Sequence, residues 1–319
     1  MTQPRGMRSA RGLGLAMRLL AIAAVATFLC VFACRIDGSA LAAAFARAAI
    51  WPIVLAAAIH FAALGCKATC WHIVLAPRHR VPTVRLWRYT IVSMAASALA
   101  PVRAGEALRV WALKQRDGVP VADSVATAVC EKMLDGAAMF ALVVAIPWLV
   151  PEVPHSVNLA AVVGSVLVAA VLVALALAVR RVTMRAEPPR SWFARCLAGM
   201  HVLRSPQRVA RSFAILLAGW LIDLAMVELV LIAVGMPVSP AGALVVLLTI
   251  NLAILVPATP AQVGIHEAGA IVGLSILHVP AEPALTFALI YHALQVLPLI
   301  AVGLALEWRL VVGRSPQYG

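Results

Sequence analysis

Six apolar runs, each long enough to cross a lipid bilayer as an α-helix, dominate this sequence. A hydrocarbon core of about 30 Å is spanned by about 20 helical residues. The runs lie at residues 13–33, 48–76, 122–150, 159–179, 213–235 and 283–306. Charged residues make up only 12% of the 319-residue chain, which is too few to cover the surface of a soluble protein. The sequence therefore predicts an all-α, polytopic membrane helical bundle that forms a single membrane domain over residues 1–319.

Two shorter apolar stretches are each broken by proline, at Pro101 and at Pro257, and a second short helical stretch follows each break. The pairs are 87–100 with 107–113, and 241–256 with 268–277. A broken helix at membrane depth needs protein or water around its freed backbone groups. We therefore interpret both pairs as re-entrant helical hairpins. Eight ordinary spans, two of them kinked by proline, are the alternative.

The distribution of basic residues predicts the orientation of these helices. The net charge is +13, and 21 of the 26 lysines and arginines lie in the proposed inside segments, against two in the outside segments. Such an excess is typical of cytoplasmic loops, so we expect a bacterial-type inner membrane protein with both termini in the cytoplasm and no nucleic-acid partner. Residues 13–33 are interpreted as a first span, because 21 apolar residues are long for the core of a cleaved signal peptide.

The two halves of the chain show internal similarity. Residues 118–126 resemble residues 278–286 at an offset of 160, and Glu106 matches Glu267 at an offset of 161. Each half contains two spans, a broken hairpin and a third span. Because the first span runs outward in one half and inward in the other, we predict repeats of inverted topology whose hairpin tips approach the bilayer midplane. The repeats are predicted at about 13–150 and about 159–306.

Several charged residues are predicted at membrane depth, where inserting one charge costs at least about 2.5 to 3.5 kcal/mol. The long third span carries Glu131, Lys132 and Asp135, with the two acids one turn apart on the same face. We interpret this cluster as functional, because charges of both signs are predicted beside it at the first hairpin tip. Other spans carry Lys67, Asp223 and Glu228. Mutual pairing alone would satisfy these three, so packing and function explain them equally well.

Both hairpin tips carry groups suited to a polar headgroup. The first contains Arg103, Glu106 and Arg109. Arginine donates a planar fork of hydrogen bonds to phosphate or carboxylate, and the glutamate is able to orient an arginine or carry a proton. The second tip ends in His266 and Glu267, which we interpret as a proton-linked pair. The alternative for the two arginines is that they anchor a basic loop at the cytoplasmic interface.

These motifs resemble the lysylphosphatidylglycerol synthase transmembrane region family, also called flippase-like membrane proteins. The similarity extends over about residues 13–310 and is carried by residues 100–109, 131–135, 260–268 and 291–292. The second tip departs from the usual Pro-Gly-Gly pattern of the family, since Ala261 and Gln262 follow Pro260. The resemblance implies a membrane domain that moves a lipid or lipid-linked molecule between leaflets.

Three functions from different classes remain open. They are a lipid translocase, a non-catalytic membrane partner of a lipid- or envelope-modifying enzyme, and a membrane-embedded lipid enzyme. An enzyme would need a nucleophile with its base or clustered metal-binding carboxylates, and the sequence suggests neither arrangement. We predict a translocase for an amphipathic lipid with an anionic headgroup. We expect that the protein is not an enzyme and has no cofactor or metal. The predicted substrate-binding residues are Arg103, Glu106, Arg109, Glu131, Lys132, Asp135, His266, Glu267, Tyr291 and His292.

Overall fold

The computed structural model describes residues 46–99, 104–149, 199–236, 239–255 and 260–311, with scattered positions between 39 and 43 and between 163 and 196. Every regular element within these residues is helical, which confirms the all-α prediction. The helices are α1 (Ile50–Leu75), α2 (Thr83–Leu99), α3 (Ala104–Asp117), α4 (Val121–Leu149), α5 (Pro206–Ala233), α6 (Pro240–Ala253), α7 (Ile265–Ile276) and α8 (Ala281–Val311). Two short 3-10 helices cover His201–Arg204 and Pro260–Gln262. The predicted span at 13–33 and most of that at 159–179 lie outside the described residues.

Three helices of the described part are long and apolar enough to cross a membrane. They are α1, α5 and the Ala281–Leu306 portion of α8. These segments coincide with three of the predicted spans and confirm them as membrane-length helices. The predicted span at 122–150 forms the continuous helix α4, whose 29 residues extend over about 44 Å. Because α4 also carries charged residues, neighbouring helices have to supply partners for them.

Serine and proline set the start of two helices. Ser205 and Ser239 each precede a proline in the first turn, where the missing N–H of proline costs nothing. The Oγ of Ser205 accepts a hydrogen bond from the N–H of Arg208, and the Oγ of Ser239 accepts one from the N–H of Gly242. These caps satisfy backbone donors that the helix itself leaves free.

The first broken segment folds back on itself as an antiparallel hairpin of α2 and α3. At its open end, Asp117 of α3 accepts hydrogen bonds from Arg85 Nη1 over 2.5 Å and from the Tyr89 hydroxyl over 2.9 Å. At its tip, the N–H of Gly105 donates to Ser97 Oγ over 3.1 Å. Helix α3 begins at residue 104, slightly before the predicted start, so its first turn includes Glu106.

The second broken segment forms an equivalent hairpin of α6 and α7. Gly273 of α7 lies against Val246 and Thr249 of α6, and Gly269 lies closer to the tip against Ile250. A side chain at either glycine would collide with the backbone of α6. The hairpin is therefore held by close contact between two helix backbones, which only glycine permits.

The largest helix-to-helix contact in the described part joins α1 and α5. These two helices run antiparallel, since the N–H of Ala49 donates to the carbonyl of Ala233 over 2.8 Å, while Gly219 of α5 lies beside Cys66 of α1. Helix α2 packs on α8, and α4 packs on α5. The main apolar core is formed by α1, α4, α5, α6, α7 and α8.

Candidate functional site

A buried ion pair joins the first hairpin to α4. Arg109 of α3 contacts both carboxylate oxygens of Glu131, with Nη1 lying 3.3 Å from Oε1 and Nη2 in contact with Oε2. The guanidinium stacks on the indole of Trp71 from α1, with its carbon 3.5 Å from the ring centre. All three side chains are buried. Two opposite charges are thus neutralised at the point where α1, α3 and α4 meet.

Lys67 extends this polar layer across α1, α4 and α5. It interacts electrostatically with the carboxylates of Asp135 and Asp223, and its ammonium lies 5.8 Å from the ring centre of Trp220. Trp220 donates a hydrogen bond from Nε1 to Asp135 Oδ1 over 3.1 Å. Lys67 therefore lies within electrostatic range of Asp223, one of the two partners that the sequence suggests, and Asp135 supplies a second carboxylate.

A second ion pair lies at the start of α3 and is open to its surroundings. Lys132 Nζ on α4 is 3.7 Å from Glu106 Oε1, and the two side chains are 52% and 53% exposed. Glu106 lies in the first turn of α3, where the partial positive charge of the helix N-terminus favours a carboxylate. Because the pair is loose and accessible, either charge is free to exchange its partner for an ionic group of a ligand.

The tip of the second hairpin is held by a buried acid and a histidine. Glu267 Oε1 lies 2.6 Å from His292 Nδ1, and Glu267 Oε2 accepts a hydrogen bond from the N–H of Gly264 over 2.6 Å. The other ring nitrogen of His292, Nε2, donates to the carbonyl oxygen of Ala261 over 2.8 Å. The side chains of Glu267 and His292 are only 7% and 9% exposed. Helices α7 and α8 are thereby tied to the tip backbone through one imidazole.

Three further polar or aromatic residues surround this pair. The ring of His266 stacks on that of His292, with 4.4 Å between centroids, and its Nε2 lies 3.2 Å from Gln295 Oε1. Tyr291 is fully buried, and its ring lies 5.5 Å from that of His266. The sequence interpretation paired Glu267 with His266, its chain neighbour. The hydrogen-bond partner of Glu267 is instead His292, because adjacent residues on a helix point in different directions.

The tip backbone between α6 and α7 is left-handed at two residues other than glycine. Ala261 has φ of 50° and Gln262 has φ of 61°, and Gly264 follows with φ of 86°. Side chains with a Cβ atom adopt this conformation at a cost of about 1 to 2 kcal/mol each. Glycine adopts this conformation without that cost, so Ala261 and Gln262 occupy two positions at which the backbone favours glycine.

Replacement of Ala261 by glycine is expected to stabilise the protein by about 0.5 to 1 kcal/mol. The gain is the relief of the left-handed conformation, less the larger unfolded-state entropy of glycine. Thermal unfolding in a mild detergent measures the change. Ala141→Gly, at an exposed helical position of α4, is the matched control and should lower stability by up to about 1 kcal/mol. Equal losses from both substitutions would contradict the assignment of strain to the tip.

The predicted site residues fall into two groups. Glu106, Arg109, Glu131, Lys132 and Asp135 lie together around α4, whereas His266, Glu267, Tyr291 and His292 lie together at the second tip. Arg103 lies outside the described residues. Sequence reasoning missed Trp71 and Gln295. Gln295 lies one helical turn after Tyr291, and this spacing is a signal by which the sequence could have identified it. Nothing in the sequence around Trp71 or Arg109 indicates that these two residues meet.

A separate polar cluster lies where the loop after α1 meets the start of α4. Asp123 contacts Arg78 Nη1 at 2.9 Å and His79 Nε2 at 2.8 Å, and His201 lines the same small cavity. Burial lowers the pKa of His201, and the charges of Arg78 and Arg204 lower it further. This cluster ties together three segments of the chain. Among the described residues, no group of three or more His, Cys, Asp or Glu side chains is placed to hold a metal ion.

Comparison with protein families gives a match over most of the chain. The family model described as the lysylphosphatidylglycerol synthase TM region matches residues 18–303. This range includes all of the site residues described above. Comparison with curated proteins gives no match.

Proposed function

The chain belongs to the lysylphosphatidylglycerol synthase transmembrane region family, and on this basis we propose that it is a translocase that moves an amphipathic lipid with an anionic headgroup between leaflets. Family membership and three membrane-length helices make it a multi-pass membrane protein. The proposed location is a bacterial-type inner membrane with both termini in the cytoplasm, as the 21 basic residues of the predicted inside segments favour. The proposed movement involves no covalent step, cofactor or metal.

Two inverted halves are the basis of the proposed movement. Helices α1 to α4 contain 26, 17, 14 and 29 residues, and α5 to α8 contain 28, 14, 12 and 31 in the same order. Each extensive helix-to-helix contact in one half has a counterpart in the other. Helix α1 also runs antiparallel to α5, which is its counterpart. These matches support two repeats of opposite orientation, each with a re-entrant hairpin.

The observation that carries the proposal is an acid and a base paired at equivalent positions in both halves. Glu106 corresponds to Glu267 at an offset of 161, and Lys132 corresponds to His292 at an offset of 160. Glu106 contacts Lys132, and Glu267 contacts His292. Each pair joins a hairpin tip to the long helix that follows it. The recurrence of a polar pair at both tips supports a headgroup path between the two hairpins, because such a path needs polar groups at that depth.

The exposed pair is the proposed receptor for the headgroup. A lipid phosphate replaces Glu106 at the ammonium of Lys132, since their separation of 3.7 Å is longer than a strong charged hydrogen bond. The acyl chains remain in the bilayer while the headgroup passes between the hairpins, which avoids most of the cost of moving charge through hydrocarbon. The buried ion pair of Arg109 and Glu131 stays intact beside this site and holds α3 against α4.

Lipid movement in vesicles tests this proposal. The protein is reconstituted in phosphatidylethanolamine and phosphatidylglycerol with a trace of phosphatidylglycerol labelled on an acyl chain, and an impermeant reductant bleaches the label in the outer leaflet. Glu106→Gln and Glu267→Gln are each expected to reduce movement to the rate of protein-free vesicles, because each removes, at nearly constant volume, the carboxylate that must pair with the cation again when the headgroup leaves. Lys132→Gln should have the same effect.

The matched control is Lys114→Gln, an exposed charge near the opposite end of α3. This variant should move the labelled lipid at the wild-type rate. That result would show that loss of one exposed charge does not by itself slow lipid movement. If the Glu106 and Glu267 variants are folded and also move lipid at the wild-type rate, the tips are structural and the proposed mechanism is wrong.

A further inference from the structure

We infer that Glu267 and His292 form a proton-binding site, and that the proton held there sets the position of the second hairpin tip. This inference rests on the proposed function, because it assigns an energy source and a gate to the same lipid movement.

The hydrogen bonds of His292 require two protons within the pair. A backbone carbonyl only accepts, so Nε2 must carry a proton to donate to Ala261. A neutral imidazole has a single N–H, so a second proton is needed to join Nδ1 to Glu267 Oε1 across 2.6 Å. Glu267 Oε2 is already occupied by the N–H of Gly264. These contacts fit a loaded state in which an extra proton is shared between imidazole and carboxylate.

Loss of that proton breaks one of the two links. If the Nδ1 proton leaves, Glu267 repels the lone pair of Nδ1, and if the Nε2 proton leaves, the carbonyl of Ala261 loses its donor. Water does not readily replace the missing donor, because both side chains are buried. The equivalent first pair behaves differently, since lysine keeps its charge at neutral pH and half of each side chain is exposed. Only the second pair therefore converts a proton into a change of contacts.

Proton loss releases a segment of strained backbone at the second hairpin tip. Ala261 and Gln262 are held in the left-handed conformation, and the bond from His292 to Ala261 is one of the contacts that hold them. The 3-10 helix at Pro260–Gln262 also packs against α2 of the first hairpin. Relaxation of the tip after proton loss is therefore transmitted to the half that carries the exposed headgroup pair. Proton binding at one tip thus biases the arrangement of both halves.

The surrounding groups limit the site to one extra proton. From α7, Glu267 and His266 face His292, with the His266 ring stacked at 4.4 Å. On α8 itself, Tyr291 and Gln295 lie beside them, and Asp223 of α5 acts electrostatically on Tyr291. Two cationic imidazoles at this separation would repel each other, so His266 stays neutral while the pair is loaded. On uptake, one proton from water forms one N–H bond, and on release the same bond breaks and the proton returns to water.

Protonation is measured first without any lipid movement. Nitrogen-15 spectra of labelled histidine in lipid nanodiscs, between about pH 5 and about pH 8, report how many protons each ring carries. His292 is expected to be doubly protonated while the pair with Glu267 is loaded and to lose one proton as the pH rises. Glu267→Gln should abolish the doubly protonated form by removing its counter-charge. His60→Gln, a buried histidine of α1, is the control and should leave the His292 signal unchanged.

Proton and lipid fluxes are then compared in the same vesicles, with a trapped pH dye and the acyl-labelled phosphatidylglycerol. The wild type should move lipid faster under an imposed pH gradient and should carry protons as it does so. His292→Lys is the decisive variant, because lysine keeps a partner for Glu267 and matches Lys132 of the first half, yet does not titrate near neutrality. It should fold, and its lipid movement should no longer respond to pH.

The possible outcomes separate this inference from the proposed function. Lipid movement that does not depend on pH in the wild type overturns the proton site and leaves the translocase intact. A His292 that titrates as described in a protein that moves no lipid supports the proton site and overturns the translocase. A His292 that remains singly protonated over the whole range overturns the proton site whatever the lipid result.

Discussion

Substitution of methionine for Arg109 is expected to lower the free energy of unfolding by about 3 to 5 kcal/mol, because it leaves Glu131 charged, buried and without its partner. The loss exceeds that of a surface ion pair, since both terminal nitrogens of Arg109 bind Glu131 and the guanidinium also stacks on Trp71. Thermal unfolding of the purified protein in a mild detergent measures the effect. Arg109→Lys should recover only part of the loss, because an ammonium makes neither the bidentate contact nor the planar stack.

A double variant separates charge from packing at this position. Arg109→Met combined with Glu131→Leu removes both charges and should recover most of the stability, as replacement of a whole buried ion pair by apolar residues often does. Lys114→Met, at an exposed position on the same helix, should change stability by less than about 0.5 kcal/mol. If Arg109→Met alone costs no more than the Lys114 control, the pair does not hold α3 on α4.

Replacement of Gly105 by alanine is expected to open the first hairpin and to cost about 3 kcal/mol, the upper end of the usual cost of overpacking. A Cβ atom at this position would lie 1.7 Å from the carbonyl oxygen of Ser93 and 2.3 Å from Ser97 Oγ. The Ser97 hydroxyl is able to rotate away, but the backbone of α2 is not. The two helices must therefore separate at the tip, which also displaces Glu106 and should reduce lipid movement.

The matched control for Gly105 is Gly136→Ala on α4. A Cβ atom there would meet nothing within 4 Å. Alanine should therefore stabilise the helix by up to about 1 kcal/mol through its higher helix propensity. If the two substitutions have the same effect on the unfolding temperature, close contact of α2 and α3 at Gly105 is not a requirement of the fold.

The positions of the helices were predictable from the sequence because they depend on local properties. Length and apolarity alone predicted the three confirmed spans, and proline with glycine predicted where both hairpins break. The sequence also predicted the acid at each tip. A charged residue is easily identified within an apolar segment, whichever way its side chain points. The offset of 161 between Glu106 and Glu267 is likewise a property of the sequence, and it is the basis of the proposed repeat.

The partners of the charged residues were decided only by the tertiary structure. Neighbours in the sequence suggested His266 for Glu267, whereas the fold brings His292, 25 residues away, to that carboxylate. In the same way, Arg109 is neutralised by Glu131 and stacked on Trp71, which lies on another helix. A helix fixes which residues share a face through its period of 3.6 residues, but its rotation against its neighbours depends on packing along its whole length. Pairing therefore follows from the assembled bundle, whereas the helices and their breaks follow from the sequence itself.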